Sequence, residues 1–418
     1  MGILGNYNSR SADASCPPWR ERKTGSFNRM YRLMAAGGVC CAGPFLHVAG
    51  TNGKGSVCAM LERGFREIGL RTGFYSSPHL VHWNERIRIN GQPIPNEDFI
   101  ELIAHWDQLA RSIATEDPLT VPSSFEILTA AALDYFQRLA VDVSILETGF
   151  GGRWDATNAV YPEICAITTI GLDHTEFFGE GEADIAWEKA GILKGGVPVF
   201  VGNVSPSAFS VIEKVAEAVG VLVLRPGEFI LPPLQFLHGV EQEENFQLAR
   251  AIARHWLCGL KKFDGDTWHR CIHGMTQARW SGRWDRREIQ GKSWIFDGTH
   301  NVHGLNMLKK NWENLPSDFR RRPTVVAAML GQRRAEDLMP FFCSVASELV
   351  LVSLDEERAT PVDTLRSLVP DDFSGKVIIF PEEDLGKLPD TISCDFVLVA
   401  GSLHLVGKTM GALNLDIG

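Results

Sequence analysis

Residues 46–56 read LHVAGTNGKGS, an apolar run that stops at a glycine, followed by a lysine set between two further glycines. A short strand feeding a glycine-rich turn and then a helix is the setting of a phosphate cradle. Glycines let backbone amides approach anionic oxygens, and a helix N-terminus aims its N–H groups at them. The common pattern G-x-x-x-x-G-K-[ST] is nevertheless missed twice, because Val48 stands at its first glycine and Gly55 at its hydroxyl. The candidate cradle is Gly50, Thr51, Asn52, Gly53, Lys54, Gly55 and Ser56. Lys54 suits a β/γ-phosphate, and Ser56 is the first hydroxyl available to a Mg²⁺ shell. The competing reading is a glycine-rich turn with a solvated lysine.

Working outward, a chain of 418 residues is long enough for about two or three domains. With 44% apolar and 22% charged residues it reads as globular, neither fibrous nor disordered. A net charge of -10 excludes a nucleic-acid binder that works through a basic field. The runs Arg320-Arg321-Arg322 and Arg333-Arg334 are too short to alter that and read as solvated loops. Nine cysteines without a C-x-x-C pair point to reduced thiols and a cytoplasmic setting. No apolar stretch approaches the ~20 residues that span a membrane. Residues 1–24 lack an apolar signal core and read as a mobile tail, and Asn6 stands where a myristoylation motif needs Ser or Thr.

Strand-length apolar runs alternate with helical-period segments, which predicts an α/β fold with a mostly parallel sheet. Strands are expected at 45–49, 141–147, 163–168, 197–201 and 220–224. Helices are expected at 54–68, 96–114, 125–139, 183–192, 206–219 and 241–257. After RWSGRWD (279–285) the alternation restarts, with strands at 293–297, 324–330, 348–354, 376–380 and 395–400. A first domain over 25–280 and a second α/β domain over 281–418 follow from this.

Several segments place chemistry at strand ends, where open α/β sheets bind ligands. In ILETGFGGRWDATN (145–158), Glu147 closes a buried strand and suits a hard-oxygen Mg²⁺ site; a turn-capping carboxylate is the plainer reading. Asp173 and His174 in ITTIGLDHTEFFG (167–179) stand just past the next strand, so Glu147 and His174 read as a shared metal site. Ser76 and Ser77 in YSSPHL are plausible metal-shell hydroxyls, although a serine pair before proline is also ordinary turn chemistry. Lys189, in IAWEKAGILKGG, reads on its own as a surface charge on an amphipathic helix. Arg283 in SGRWD is either a charge clamp on a transferred phosphoryl group or a linker salt bridge. In IFDGTHNVHG, Asp297 ends a strand, and His300 and Asn301 open the next helix.

Taken together, HVAGTNGKGS, YSSPHL, FE, ETGFGGRWDATN, IGLDHTEFFG, EKAGILK, DGTHN and VLVAGSLHLVG occur in order from about residue 25 to the C-terminus. In that order they resemble the folylpolyglutamate synthase and dihydrofolate synthase family, a branch of the ATP-dependent Mur-type ligases. The resemblance implies an N-terminal P-loop ATPase domain, a C-terminal Rossmann-like α/β glutamate-ligase domain and an active site between them. It explains the loop, because this family ends its cradle with Lys-Gly-Ser/Thr. By the same resemblance, Ser77 and Glu147 match ligands of one Mg²⁺, His174 matches a ligand of a second, and Lys189 matches a lysine carried as a carbamate. Asn245, Arg283 and Asp297 match ATP contacts. Ser123, Ser124, Phe125 and Glu126, together with Arg153, Trp154 and Asp155, match the region that receives the pterin. His300 falls in the motif that lines the cleft from the C-terminal side.

The activity implied is ATP-dependent ligation of L-glutamate to dihydropteroate, to the glutamate tail of folates, or to both, through an acyl phosphate. Folylpolyglutamate extension alone is the nearest alternative, and a non-catalytic nucleotide-binding protein the more distant one. A cytoplasmic monomer is implied, with small-molecule substrates and no nucleic-acid or membrane partner. Departures from the family pattern are Ser281 for proline, Thr299 for alanine, Val302 for proline, Trp154 for leucine, Glu241 for histidine, the GSFNRM segment (25–30) and the MLGQRRAEDL stretch (329–338); none removes an ATP or metal residue, and several touch the substrate side.

Overall fold

The computed structural model describes residues 26–115, 120–260, 263–316 and 322–417. The expected tail at 1–24, Gly25 and the Arg320-Arg321 pair lie outside the described residues. Two compact units emerge. The first takes the chain up to Pro78, Trp83–Leu231 and Glu244–Thr276; the second takes His79–His82, Pro232–Glu243 and Gln277 onward.

The first unit is built on eight strands: β1 (Phe45–Ala49), β2 (Thr72–Tyr75), β3 (Ile87–Ile89), β4 (Gln92–Pro93), β5 (Val143–Glu147), β6 (Ile164–Ile167), β7 (Val199–Val201) and β8 (Val223–Leu224). Their order is β4-β3-β2-β5-β1-β6-β7-β8. β1 pairs in parallel with β5 on one side and β6 on the other, and every residue of these three strands is buried. Strands buried on both faces read as unbroken apolar runs, which is why the sequence shows them plainly. β3 and β4 instead form a short antiparallel edge, too brief to show a period.

The helices of this unit are α1 (Ser26–Ala36), α2 (Lys54–Glu67), α3 (Asn96–Ile113), α4 (Ser124–Arg138), α5 (Thr175–Phe178), α6 (Glu182–Lys189), α7 (Pro206–Val219), α8 (Val240–Gly259, from Glu244 onward) and α9 (Gly265–Thr276). α7 shows how local chemistry sets its ends. The Ser205 hydroxyl accepts from the Ala208 amide, Pro206 occupies the first turn, and Gly220 ends the helix at φ 67°. The helix expected over 183–192 stops at Lys189 and continues as a 3-10 turn over Ala190–Ile192.

A buried ion pair joins α1 to α4. Arg29 Nε donates to both Glu126 oxygens, at 3.0 and 3.1 Å, and both side chains are about 5% exposed or less. Glu126 is also the return arm of a capping box, accepting from the Ser123 amide at 2.6 Å while its own amide donates to Ser123 Oγ at 3.2 Å. Removing one member of a buried pair strands the other charge, so Arg29→Ala is expected to cost about 3–5 kcal/mol of stability. Denaturant unfolding at neutral pH measures it, and a loss below about 1 kcal/mol rules out a structural role for the pair.

The second unit holds β9 (Asp285–Ile289), β10 (Lys292–Asp297), β11 (Thr324–Ala327), β12 (Glu348–Ser353), β13 (Lys376–Pro381) and β14 (Phe396–Ala400), in the order β13-β12-β11-β14-β10-β9. Its helices are α10 (Val302–Glu313), α11 (Gln332–Val345), α12 (Val362–Ser367), α13 (Leu388–Thr391) and α14 (Leu403–Ala412). Period-two alternation sorts the strands onto two cores. Val325, Ala327, Leu349 and Leu351 join Leu308, Leu338 and Phe342, while Val326, Val350, Val397 and Val399 join Leu405 and Met410. β9 is antiparallel to β10, and its DRREI sequence is no more than half-buried. A charged edge strand resists pairing with other chains and lacks the apolar signal of its neighbours.

Candidate active site

The phosphate loop leaves β1 and enters α2 through Gly53, whose φ of 84° lies in the left-handed region that glycine adopts without strain. A Cβ there would collide with Asn245 Oδ1, so Asn245 of α8 lies against the loop. Lys54 Nζ donates to the carbonyls of Gly50 and Thr51, at 3.1 and 3.2 Å, folding over its own loop. The loop is also stitched to the segment after β6. The Thr51 amide donates to Thr169 O at 2.8 Å, the Asn52 amide donates to Thr169 Oγ1 at 3.1 Å, and Thr168 Oγ1 donates to Asn52 O at 2.6 Å.

Beside this loop, Glu147 ends β5 and is 5% exposed. The Ser77 amide donates to Glu147 Oε2 at 3.4 Å, which brings the two expected metal-side residues together. Lys54 and Glu147 both act on the buried Cys58 thiol, which burial, then Glu147, push upward. Arg86 is a residue the sequence reading missed. Burial lowers its pKa, while Tyr75, Glu85 and Glu147 favour its charge, and its guanidinium lies 4.7 Å from the Trp83 ring centroid. It is the last residue of a single 3-10 turn over Trp83–Arg86, and no periodicity flags it.

His174 follows β6 at φ 53° and caps the single turn of α5. Its Nε2 is 3.8 Å from Asp173 Oδ2, and its ring meets Phe150 edge-on at 4.7 Å. Lys189, the last residue of α6, is 6% exposed. Burial, reinforced by the charge of Lys54, lowers its amine to about 7, against the pull of Asp173, Glu188 and Asp155. The surface charge suggested by its local sequence is thus a buried group facing Lys54 and Asp173. Close packing explains it: a Cβ on Gly152 would come within 3.0 Å of Lys189 O, so the glycine loop after Glu147 lies directly on the end of α6.

The pterin-side candidates have local commitments. Ser123 and Glu126 form the capping box, Ser124 opens α4, and the half-buried Phe125 ring lies 6.0 Å from Tyr75. Arg153 lies 3.7 Å over the Trp187 ring and donates to Trp187 O at 2.9 Å. Asp155 is buried and accepts from the amides of Gly149, Phe150 and Thr157 and from the Thr157 hydroxyl. Trp154 is half-buried.

Arg283, Asp297 and His300 belong to the second unit and are described there alone. Asp297 accepts from the amides of Trp284 and Thr299, each at 2.9 Å, and from the Thr299 hydroxyl. Burial raises its pKa, opposed by Thr299 and by the neighbouring Arg283. His300 Nδ1 lies 2.7 Å from Gly298 O. A carbonyl can only accept, so Nδ1 carries the proton and Nε2 is the basic nitrogen of the neutral ring.

Among the described residues no three His, Cys, Asp or Glu side chains converge as a metal cluster. A cation near Glu147 and His174 would therefore draw further oxygens from Ser77, from a modified Lys189 or from nucleotide phosphates. That is the hard, partly substrate-supplied shell that Mg²⁺ favours, and the residues fit it.

Residues 48–225 match the Mur ligase middle domain. Over 388 residues the chain is 31% identical to the dihydrofolate synthase/folylpolyglutamate synthase of Bacillus subtilis (strain 168), covering 86% of this chain and 88% of that one. The chain belongs to the folylpolyglutamate synthase and dihydrofolate synthase family. A solved family structure, the Mycobacterium tuberculosis folylpolyglutamate synthase complexed with ADP and AMPPCP, superposes with a TM-score of 0.82 at 26% identity. It covers 94% of this chain and 96% of that one. The mitochondrial folylpolyglutamate synthase of Bos taurus is 35% identical over 295 residues, 62% of this chain and 49% of the relative. The chain thus spans about half the length of the animal and nematode family members it matches.

Two of the family departures have local explanations. The Thr299 hydroxyl is spent on Asp297, and Ser281 Oγ donates to Ile417 O at 3.0 Å, a bond that proline cannot make. Glu241 accepts from Asn311 Nδ2 at 3.0 Å; burial, with Asp297 nearby, pushes its carboxyl up to about 7. Nothing in the structure explains Val302, which is exposed.

Proposed function

We propose that this protein is an ATP-dependent ligase that joins L-glutamate to the carboxylate of a pteroate or folate through an acyl phosphate. The observation that carries this reading lies at the carboxyl ends of β1, β5 and β6. There Lys54 and Asp173 face the buried Lys189, Glu147 closes β5 and His174 follows Asp173, all within one unit and in the sequence order of a family whose members are named for this chemistry. The cradle Gly50–Ser56 with Asn245 would hold the nucleotide, and Arg283, Asp297 and His300 are assigned nucleotide-side and cleft-side roles by resemblance. The acceptor carboxylate attacks the γ-phosphorus and ADP leaves. The amine of glutamate then attacks the acyl carbon, phosphate leaves, and the amine gives up a proton. Lys54 supplies charge to the phosphoryl group as it transfers. Magnesium, when bound by Ser77, Glu147 and His174, would neutralise the phosphate oxygens.

Carbamylation of Lys189 belongs to the same reading. Two lysines, Lys54 and Lys189, act on each other in the site, and addition of CO₂ would turn the second into an anionic oxygen ligand. Burial favours the uncharged amine that reacts with CO₂. Ser124, Phe125, Arg153 and Trp154 are the proposed pterin-side contacts, with Ser123, Glu126 and Asp155 shaping that region through their turns. A cytosolic monomer completes the proposal. Free cysteines at every described position support the cytosolic setting, and the monomer is carried over from the family resemblance alone.

ADP release tests the acceptor. Dihydropteroate and tetrahydrofolate, each with and without L-glutamate, should both give glutamate-dependent turnover if the enzyme is bifunctional. Turnover with tetrahydrofolate alone assigns folylpolyglutamate extension only. No glutamate-dependent release with either acceptor refutes the ligase reading.

A further inference from the structure

His47 lies in the middle of β1, fully buried, just ahead of the phosphate loop. Its Nε2 is 2.7 Å from Thr157 Oγ1. That hydroxyl donates to Asp155 Oδ1 at 2.5 Å. Asp155 also accepts the amides of Gly149 at 3.1 Å, Phe150 at 2.8 Å and Thr157 at 3.0 Å. A hydroxyl carries one proton. With that proton spent on Asp155, the oxygen must accept from His47, which defines the ring as the Nε2–H tautomer. The other nitrogen agrees: Nδ1 is buried with no hydrogen-bond partner among the described residues. A bare acceptor there is cheaper than a stranded N–H donor.

We propose that His47 is a positioning residue for the ligation reaction, its Nε2–H acting through Thr157 and Asp155 to hold the loop between Glu147 and Lys189. The proposal rests on the ligase reading above. The loop begins directly after Glu147, and its far end is tied to α6 by the Arg153 amide, which donates to Glu188 O at 2.8 Å. Gly152 lies against Lys189 O. One strap therefore spans the residue matched to a metal ligand and the residue matched to the carbamate, and Asp155 gathers its Gly149 and Phe150 amides. Lys194 Nζ is held by Asn158 O at 3.0 Å and Asn158 Oδ1 at 2.7 Å. Burial, then this nearby charge, lower the His47 pKa to about 3, so the ring stays neutral and its tautomer does not switch near neutrality.

The test combines steady-state ADP release under Mg²⁺ titration with ¹⁵N-histidine NMR of the full chain. His47→Leu and Thr157→Val should each raise the half-saturating Mg²⁺ concentration and lower kcat by about tenfold, with the KM for ATP changed less than about twofold. The double variant should be no worse than either single one, because both cut the same relay. His47→Gln, whose amide can still donate to Thr157, should recover to within about threefold of wild type. NMR should show the Nε2–H tautomer at His47 from about pH 5 to about pH 8. Additive losses, an unchanged Mg²⁺ dependence in a folded variant, or an Nδ1–H tautomer would overturn the relay. An inactive wild type would instead sink the ligase reading. The relay would then stand or fall on whether the Gly149 and Phe150 amides lose exchange protection in Thr157→Val.

Discussion

Lys189→Ala is expected to lower glutamate-dependent ADP release by about a thousandfold or more, while the melting temperature stays close to that of wild type. The size follows from what the group would do. As a carbamate, Lys189 would place negative charge opposite Lys54 where the reading has Mg²⁺ bound; as alanine, it would leave Lys54 and the cation without that counter-charge. Removing CO₂ from the assay should reduce wild-type activity, and bicarbonate should restore it. Alanine-variant turnover within about tenfold of wild type would reject a chemical role for this lysine.

Glu147→Gln should cost about a hundredfold to a thousandfold in kcat and shift Mg²⁺ dependence to higher concentration. Glutamine preserves the shape and the Ser77 amide contact, seen at 3.4 Å, but removes the charge. The change isolates electrostatics from packing at a position only 5% exposed. The side chain also balances Arg86, whose charge it favours. An unaltered Mg²⁺ titration would show that Glu147 serves only Arg86 and the turn.

The legible parts of this protein are those where burial is complete. β1, β5 and β6 announce themselves because strands covered on both faces carry no polar alternation. Lys54 and Glu147 were readable because glycine turns and strand ends mark them directly. Lys189 was not. Its helix has an ordinary charged appearance, and its burial comes from a glycine loop some 35 residues earlier in the chain that packs on its last turn. Arg86 was missed for the opposite reason, since it sits in an irregular segment without period. Ser123 and Glu126 were singled out as substrate residues by resemblance; the structure adds that together they cap a helix and that Glu126 neutralises Arg29. The second unit's edge strand β9 escaped because charged residues occupy the positions that usually signal a strand.

The threonine stitching between the phosphate loop and the exit of β6 has a mechanical consequence. Thr168 and Thr169 grip both the amide and the carbonyl of Asn52, so the segment that leads to His174 is geared to the segment that leads to Lys54. A displacement at one end is transmitted across two neighbouring strands without passing through any bound molecule. On the proposed reading of Lys54 and His174, variation at these two threonines would therefore change nucleotide affinity and metal affinity together, as a single adjustable quantity.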